Sequence, residues 1–166
     1  MAKKSAQSAK TRRAKPADAQ VVLHLYDQRT NEQMRKARKY LLLEFWPTSY
    51  DEFVAMAMAF GTEKQQHLRQ AASYWDQACA LVVRGAVHEG VFEDWAGEAF
   101  VLYAKYQPFV ARFRKEINPA FLANVEKFVT GNAARRERIK RLQQVTLPRL
   151  AAAAGAKPAT SAAQAS

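Results

Sequence analysis

TEKQQHLRQAASYWDQACALVVRG, residues 62–85, decides the fold class. Leu68, Ala71, Ala72, Trp75, Ala78, Cys79 and Val82 recur at steps of three and four, which puts them on one face of a helix. Thr62 with Gln65 reads as a capping box at its start, and Gly85 as its stop.

The same signals repeat on either side. Ser49 with Glu52 opens a short helix that turns Phe53, Met56, Ala57 and Phe60 inward and closes at Gly61. Thr30 with Gln33 opens another, running to about Phe45 with Met34, Ala37 and Leu41 on its apolar face, and Pro47 ends it. Val21, Val22, Leu25 and Tyr26 mark a helix from Asp18 to about Arg29. Downstream, Phe92, Trp95, Ala99, Tyr103, Tyr106, Val110, Phe113 and Ile117 form the longest stripe, which Pro108 is expected to kink or split. Asn118-Pro119 begins a shorter helix with Phe121, Leu122, Val125, Phe128 and Val129, ended by Gly131. No segment of useful length alternates with the period of a strand. The prediction is an all-α, compact bundle of about five to six helices over residues 18–130.

Charge divides the chain differently. The formal net charge is +11 over 166 residues, but residues 16–130 carry about −1, so the excess lies in the ends. Residues 1–17, basic and without apolar periodicity, are expected to be a disordered tail. Residues 131–150 are expected to extend the domain as a basic helix with a thin apolar line of Ile139, Leu142 and Val145. Residues 151–166 read as an Ala-rich, low-complexity tail. A neutral domain with basic ends points to electrostatic attachment rather than to a built nucleic-acid surface. The candidate polyanion contacts are Lys3, Lys4, Lys10, Arg12, Arg13 and Lys15 at one end, and Arg135, Arg136, Arg138, Lys140 and Arg141 at the other.

Residue types that carry chemistry are sparse. A single cysteine, Cys79, rules out an internal disulfide framework, fits a reducing compartment, and lies on an apolar face as an inert thiol. His24, His67 and His88 are scattered, and His88-Glu89 lacks the second histidine of a zinc-protease motif. No metal or cofactor site can be assembled from spacing. Glu93 and Asp94 read as helix-start acids of the long helix, placed by the macrodipole. Tyr50, Tyr74 and Phe109 fall off the main stripes and are the candidate protein-partner surface. No apolar run is long enough to cross a membrane, and no secretory leader is recognisable, so a cytoplasmic location is expected.

Two stretches carry a resemblance. One is Leu25-Tyr26-Asp27-Gln28-Arg29 followed by Met34-Arg35-Lys36-Ala37-Arg38. The other runs from Trp75 through Val82-Val83-Arg84-Gly85-Ala86-Val87 and Trp95-Ala96-Gly97 to Tyr106-Gln107-Pro108-Phe109-Val110 and Arg112-Phe113-Arg114. Over about residues 20–130 they resemble a bacterial family of small helical proteins described as domain of unknown function 4760. The resemblance implies a helical domain and no catalytic residue. It also implies a membrane-spanning helix upstream in many members, where this sequence has a polar basic stretch.

The expected function is therefore a non-enzymatic helical interaction module that binds a protein partner and uses its basic ends for attachment. The alternatives are a non-specific nucleic-acid-associated protein that binds through its tails, and peripheral attachment to anionic membrane through residues 133–147.

Overall fold

The computed structural model describes residues 12–156, and the regular structure among them is entirely helical. Its runs are α1 (Pro16–Thr30), α2 (Glu32–Lys39, continued by a π turn, Tyr40–Glu44), α3 (Tyr50–Ala57) and α4 (Glu63–Val83). They continue with α5 (Glu89–Glu93), α6 (Gly97–Glu116), α7 (Ala123–Val129) and α8 (Ala133–Arg141, a π turn at Leu142–Thr146, then Leu147–Ala153). The expected count rises because α5 separates from the long helix and α8 joins the bundle.

Helix α4 is the central element. It packs against α2 and α7, while α6 packs against α7 and α8, and α3 closes over α4 and α6. The inward stripe of α4 is buried as expected, from Leu68 through Trp75 to Val82. Its N-cap is Thr62, which accepts from the Gln65 N–H, and Gly61 before it adopts a left-handed φ of 85° that a side chain would strain. Ser49 caps α3 by accepting from the Glu52 N–H. Phe53 of α3 is fully buried, with ring centroids 5.2 Å from both Phe109 and Phe113 and 5.6 Å from Tyr106. Aromatic packing of this kind holds α3 against α6.

Several local expectations shift. The cap of α2 is Asn31, whose Oδ1 accepts the Met34 N–H at 2.8 Å; Thr30 turns back to the Asp27 carbonyl instead. Helix α1 starts at Pro16, where a proline N1 needs no N–H partner, so helix reaches into the stretch expected to be disordered. The rest of that stretch, residues 1–11, lies outside the described residues, as do residues 157–166 of the expected C-terminal tail. Helix α7 begins at Ala123 rather than Asn118, because Leu122 turns left-handed (φ 50°) and Asp76 of α4 accepts the N–H groups of Asn124 and Val125 at 2.8 and 3.1 Å.

Pro108 neither splits nor ends α6, which runs unbroken from Gly97 to Glu116. The N–H that proline lacks would have gone to the Ala104 carbonyl. Gln143 of α8 donates to that carbonyl instead, at 3.2 Å, and its Nε2 also donates to Gln107 Oε1 at 2.5 Å. Ile139, Leu147 and Ala151 of α8 are buried against the bundle, so the segment expected to extend beyond the domain is part of its core.

Candidate functional site

Both basic segments are fastened to the same turn. Asp18, buried in the first turn of α1, pairs with the guanidinium of Arg12 and accepts the Lys15 N–H at 2.8 Å. It also accepts the N–H of His88 at 2.9 Å, across 70 residues of chain. The bond from Arg12 is the main reason the Asp18 carboxyl stays far below the usual carboxylate range in spite of burial. The next residue, Glu89, holds the other end. Arg135 of α8, only 3% exposed, donates through Nη1 to Glu89 and to the Phe128 carbonyl, and through Nη2 to Glu93. Its guanidinium lies 4.2 Å from the Phe128 ring centroid.

This arrangement re-reads the acids around residue 90. Glu89 does sit in the first turn of α5, but Glu93 is at the last turn of α5 and not at the start of the long helix, whose first-turn acid is Glu98. Glu93 is spaced one turn from Glu89, so both face one guanidinium, and that bond holds the Glu93 carboxyl below its ordinary value. For Arg135, burial works against the charge, but the bonds to Glu93 and Glu89 outweigh it and raise its pKa.

Among the candidate polyanion contacts, the structure thus removes two from the free set: Arg135 is a buried structural cation and Arg12 is paired with Asp18. Arg138 lies 4.0 Å over the Phe100 ring. Arg13, Lys15, Arg136, Lys140 and Arg141 are exposed, with Lys140 3.5 Å from Glu137. Arg149, further along α8, is exposed as well. Lys3, Lys4 and Lys10 lie outside the described residues. The apolar line on α8 faces inward: Ile139 is buried and Leu142 half-buried, which leaves Val145 alone to meet a lipid surface.

Tyr50, Tyr74 and Phe109 are core residues, which corrects their reading as a partner surface. Phe109 stacks on Phe53, Tyr74 donates its hydroxyl to the Leu25 carbonyl at 2.5 Å, and Tyr50 donates to Glu116 at 2.8 Å. Tyr74 and Phe109 fell off the stripes because α4 and α6 are buried on more than one face, and a single-stripe reading assigns the second face to solvent. Tyr50, at the start of α3, is buried by its bond to Glu116 of α6. The large apolar side chains that are exposed include Leu23 and Tyr26, one turn apart on α1, and Met58 and Phe60 after α3.

Lys105 is the ionisable residue that the sequence reading missed. It is buried on α6, and its Nζ donates to the carbonyls of Leu41 at 2.8 Å and Leu42 at 3.2 Å, 3.6 Å from the Trp46 ring centroid. Pro47 and the π turn leave the last carbonyls of α2 without helical partners, and Lys105, Tyr106 and the Trp46 indole N–H supply donors to them. Burial pushes the Lys105 amine down to about 7. Its position between Leu102 and Phe109, at spacings of three and four, was the available signal. The role it serves is a cap on a buried helix end, reached from another helix.

Cys79 is fully buried, and burial pushes its thiol well up, away from nucleophilic range. His24 is exposed and bonded to Gln28, His67 lies beside Tyr40, and the Nδ1 of His88 accepts the Val91 N–H. Among the described residues no group of three or more His, Cys, Asp or Glu side chains could hold a metal ion. None of the described helices is long and apolar enough to cross a membrane.

The family model described as Domain of unknown function (DUF4760) matches residues 14–131, which takes in α1 to α7 and stops before α8. No curated protein and no solved structure is significantly similar to the chain. With most of its length matched, from the Asp18 clip through the aromatic core to the end of α7, the chain belongs to the DUF4760 family.

Proposed function

We propose that this protein is a non-enzymatic interaction module of the cytoplasm that holds an acidic protein partner through the basic segments at one end of its bundle. The observation that supports this reading is the fastening of both segments to consecutive residues, His88 and Glu89. Two basic stretches far apart in sequence are then anchored at neighbouring points, and the exposed Arg13 and Lys15 of one act together with the exposed cations of the other on one partner. Besides Arg138, which lies over the Phe100 ring, the cations left exposed on α8 are Arg136, Lys140, Arg141 and Arg149, and the segment has a single acid, Glu137.

Nucleic acid is the second reading, favoured by the spacing of those four cations along one helix. Four phosphate contacts would give a log–log salt slope of roughly −3 to −4. Backbone contacts alone would make such binding insensitive to sequence.

Affinity capture from nuclease-treated lysate tests the proposal. The whole chain is compared with a variant carrying Arg136→Gln, Lys140→Gln, Arg141→Gln and Arg149→Gln, all at exposed positions. An acidic protein retained by the first and lost by the second supports the reading. Loss of every captured protein on nuclease treatment would favour nucleic acid, and a turnover activity abolished by a point change in residues 20–130 would overturn the non-enzymatic assignment.

A further inference from the structure

A cleft of about 440 Å³ opens between the end of α3, the first half of α4 and the α6–α7 connection, on residues that the basic segments do not use. Leu68, Phe113 and Phe121 are among its apolar walls, and Gln65, Arg69 and Ser73 among its polar lining. Met58 and Phe60 also line it, and Phe60 is 69% exposed. The volume falls in the roughly 300–1,000 Å³ range of small-molecule sites. At about 30 Å³ per water-sized group, it would take on the order of ten to fifteen non-hydrogen atoms.

Two polar features say what kind of molecule would fit. Gln65 is 6% exposed and lines the cleft, and its side-chain amide makes no hydrogen bond among the described residues. With no bond inside the fold, that amide is open to a hydrogen bond from a molecule in the cleft. Arg69, one turn further along α4, is exposed and has no carboxylate partner among the described residues. The acid that also reaches the cleft is Asp76, and its two oxygens are engaged by the N–H groups of Asn124 and Val125 and by the Asn124 amide. The cleft therefore offers apolar walls, one uncommitted cation and one unpaired amide. A cationic amphiphile would meet Arg69 as a like charge, and a purely apolar molecule would leave Gln65 unpaired.

We infer that this cleft is a binding site for a small amphiphilic monocarboxylate of the medium-chain fatty-acid class. The chain packs between Leu68, Phe113 and Phe121, and the carboxylate accepts from the Arg69 guanidinium and from Nε2 of Gln65. The site is independent of the acidic-partner reading, and either can fail without the other.

The test is a titration of the full chain with decanoate, below its micellar concentration, followed by amide chemical shifts. Arg69→Gln and Ala120→Trp are run alongside; both positions are exposed lining residues, so neither change disturbs the core. The inference predicts saturable binding with shifts centred on Gln65, Ser73 and Phe121, weakened about tenfold by Arg69→Gln and blocked by Ala120→Trp. It also predicts no saturable binding of decyltrimethylammonium. Absence of saturation with decanoate, unchanged affinity in either variant, or equal binding of the cationic amphiphile would overturn it.

Discussion

The carbonyl of Ala104 accepts a hydrogen bond from Gln143 at 3.2 Å because Pro108, four residues on, has no N–H to give it. The contact joins a defect in α6 to a residue in the π turn of α8, and it explains why a helix of 20 residues survives an internal proline. Gln143 lies beyond the family match, which ends at residue 131.

Gln143→Leu should then leave the carbonyl of the buried Ala104 unsatisfied and lower stability by about 1–2 kcal/mol. Pro108→Ala restores the missing N–H, so the same glutamine change made in that background should cost much less. Denaturant midpoints of the two single variants and the double variant measure the coupling, and strictly additive effects would show that the two residues do not communicate.

Arg135→Leu tests the other fastening of α8. It strands Glu89 and Glu93 against an apolar helix face, and the expected loss is about 3 kcal/mol. Arg136→Gln, at the next and exposed position, should change stability by less than about 0.5 kcal/mol. Chemical unfolding of both variants separates structural cations from those free to bind a partner.

Lys105 gives the fold a dependence on pH with a definite sign. Below about pH 7 the amine is protonated in the folded and unfolded chain alike. Between there and its ordinary value of 10.5, the unfolded chain binds a proton that the folded chain does not. Stability should therefore rise with pH through that window, by at most about 1.4 kcal/mol per unit. Raised tyrosine values such as that of Tyr40, near 12, act in the opposite direction only above about pH 10. Lys105→Met should flatten the rise, as read from urea midpoints at pH 6.5 and 9.

What was legible in the sequence was whatever is decided within a helical turn. Thr62 and Ser49 cap the helices they were expected to cap, and the α4 stripe is buried along its length. What was not legible is capping from a distance. Asp76 caps α7 across 48 residues, Lys105 caps α2 across 64, and Asp18 fixes His88 across 70. Nothing local distinguishes those side chains from solvated charges until the helices are packed. The same limit explains Arg135, read as a free cation because its partners lie in α5, 42 and 46 residues away. Tyr74 and Phe109 went astray for a related reason, since a helix surrounded by neighbours buries more than its main stripe, and Tyr50 because its partner Glu116 lies 66 residues away.

The most direct test of the central claim is a fluorescence-anisotropy titration of a labelled poly-glutamate peptide at several salt concentrations, with a DNA duplex as reference. The whole chain is compared with the variant in which Arg136, Lys140, Arg141 and Arg149 are glutamine. Trimming the chain at residue 130 would not serve, because it removes the buried Arg135 and Ile139. The account predicts that the peptide binds the intact chain, that affinity falls steeply with salt, and that the variant loses it. Equal binding by the two proteins, or none by the intact chain at low salt, would contradict it.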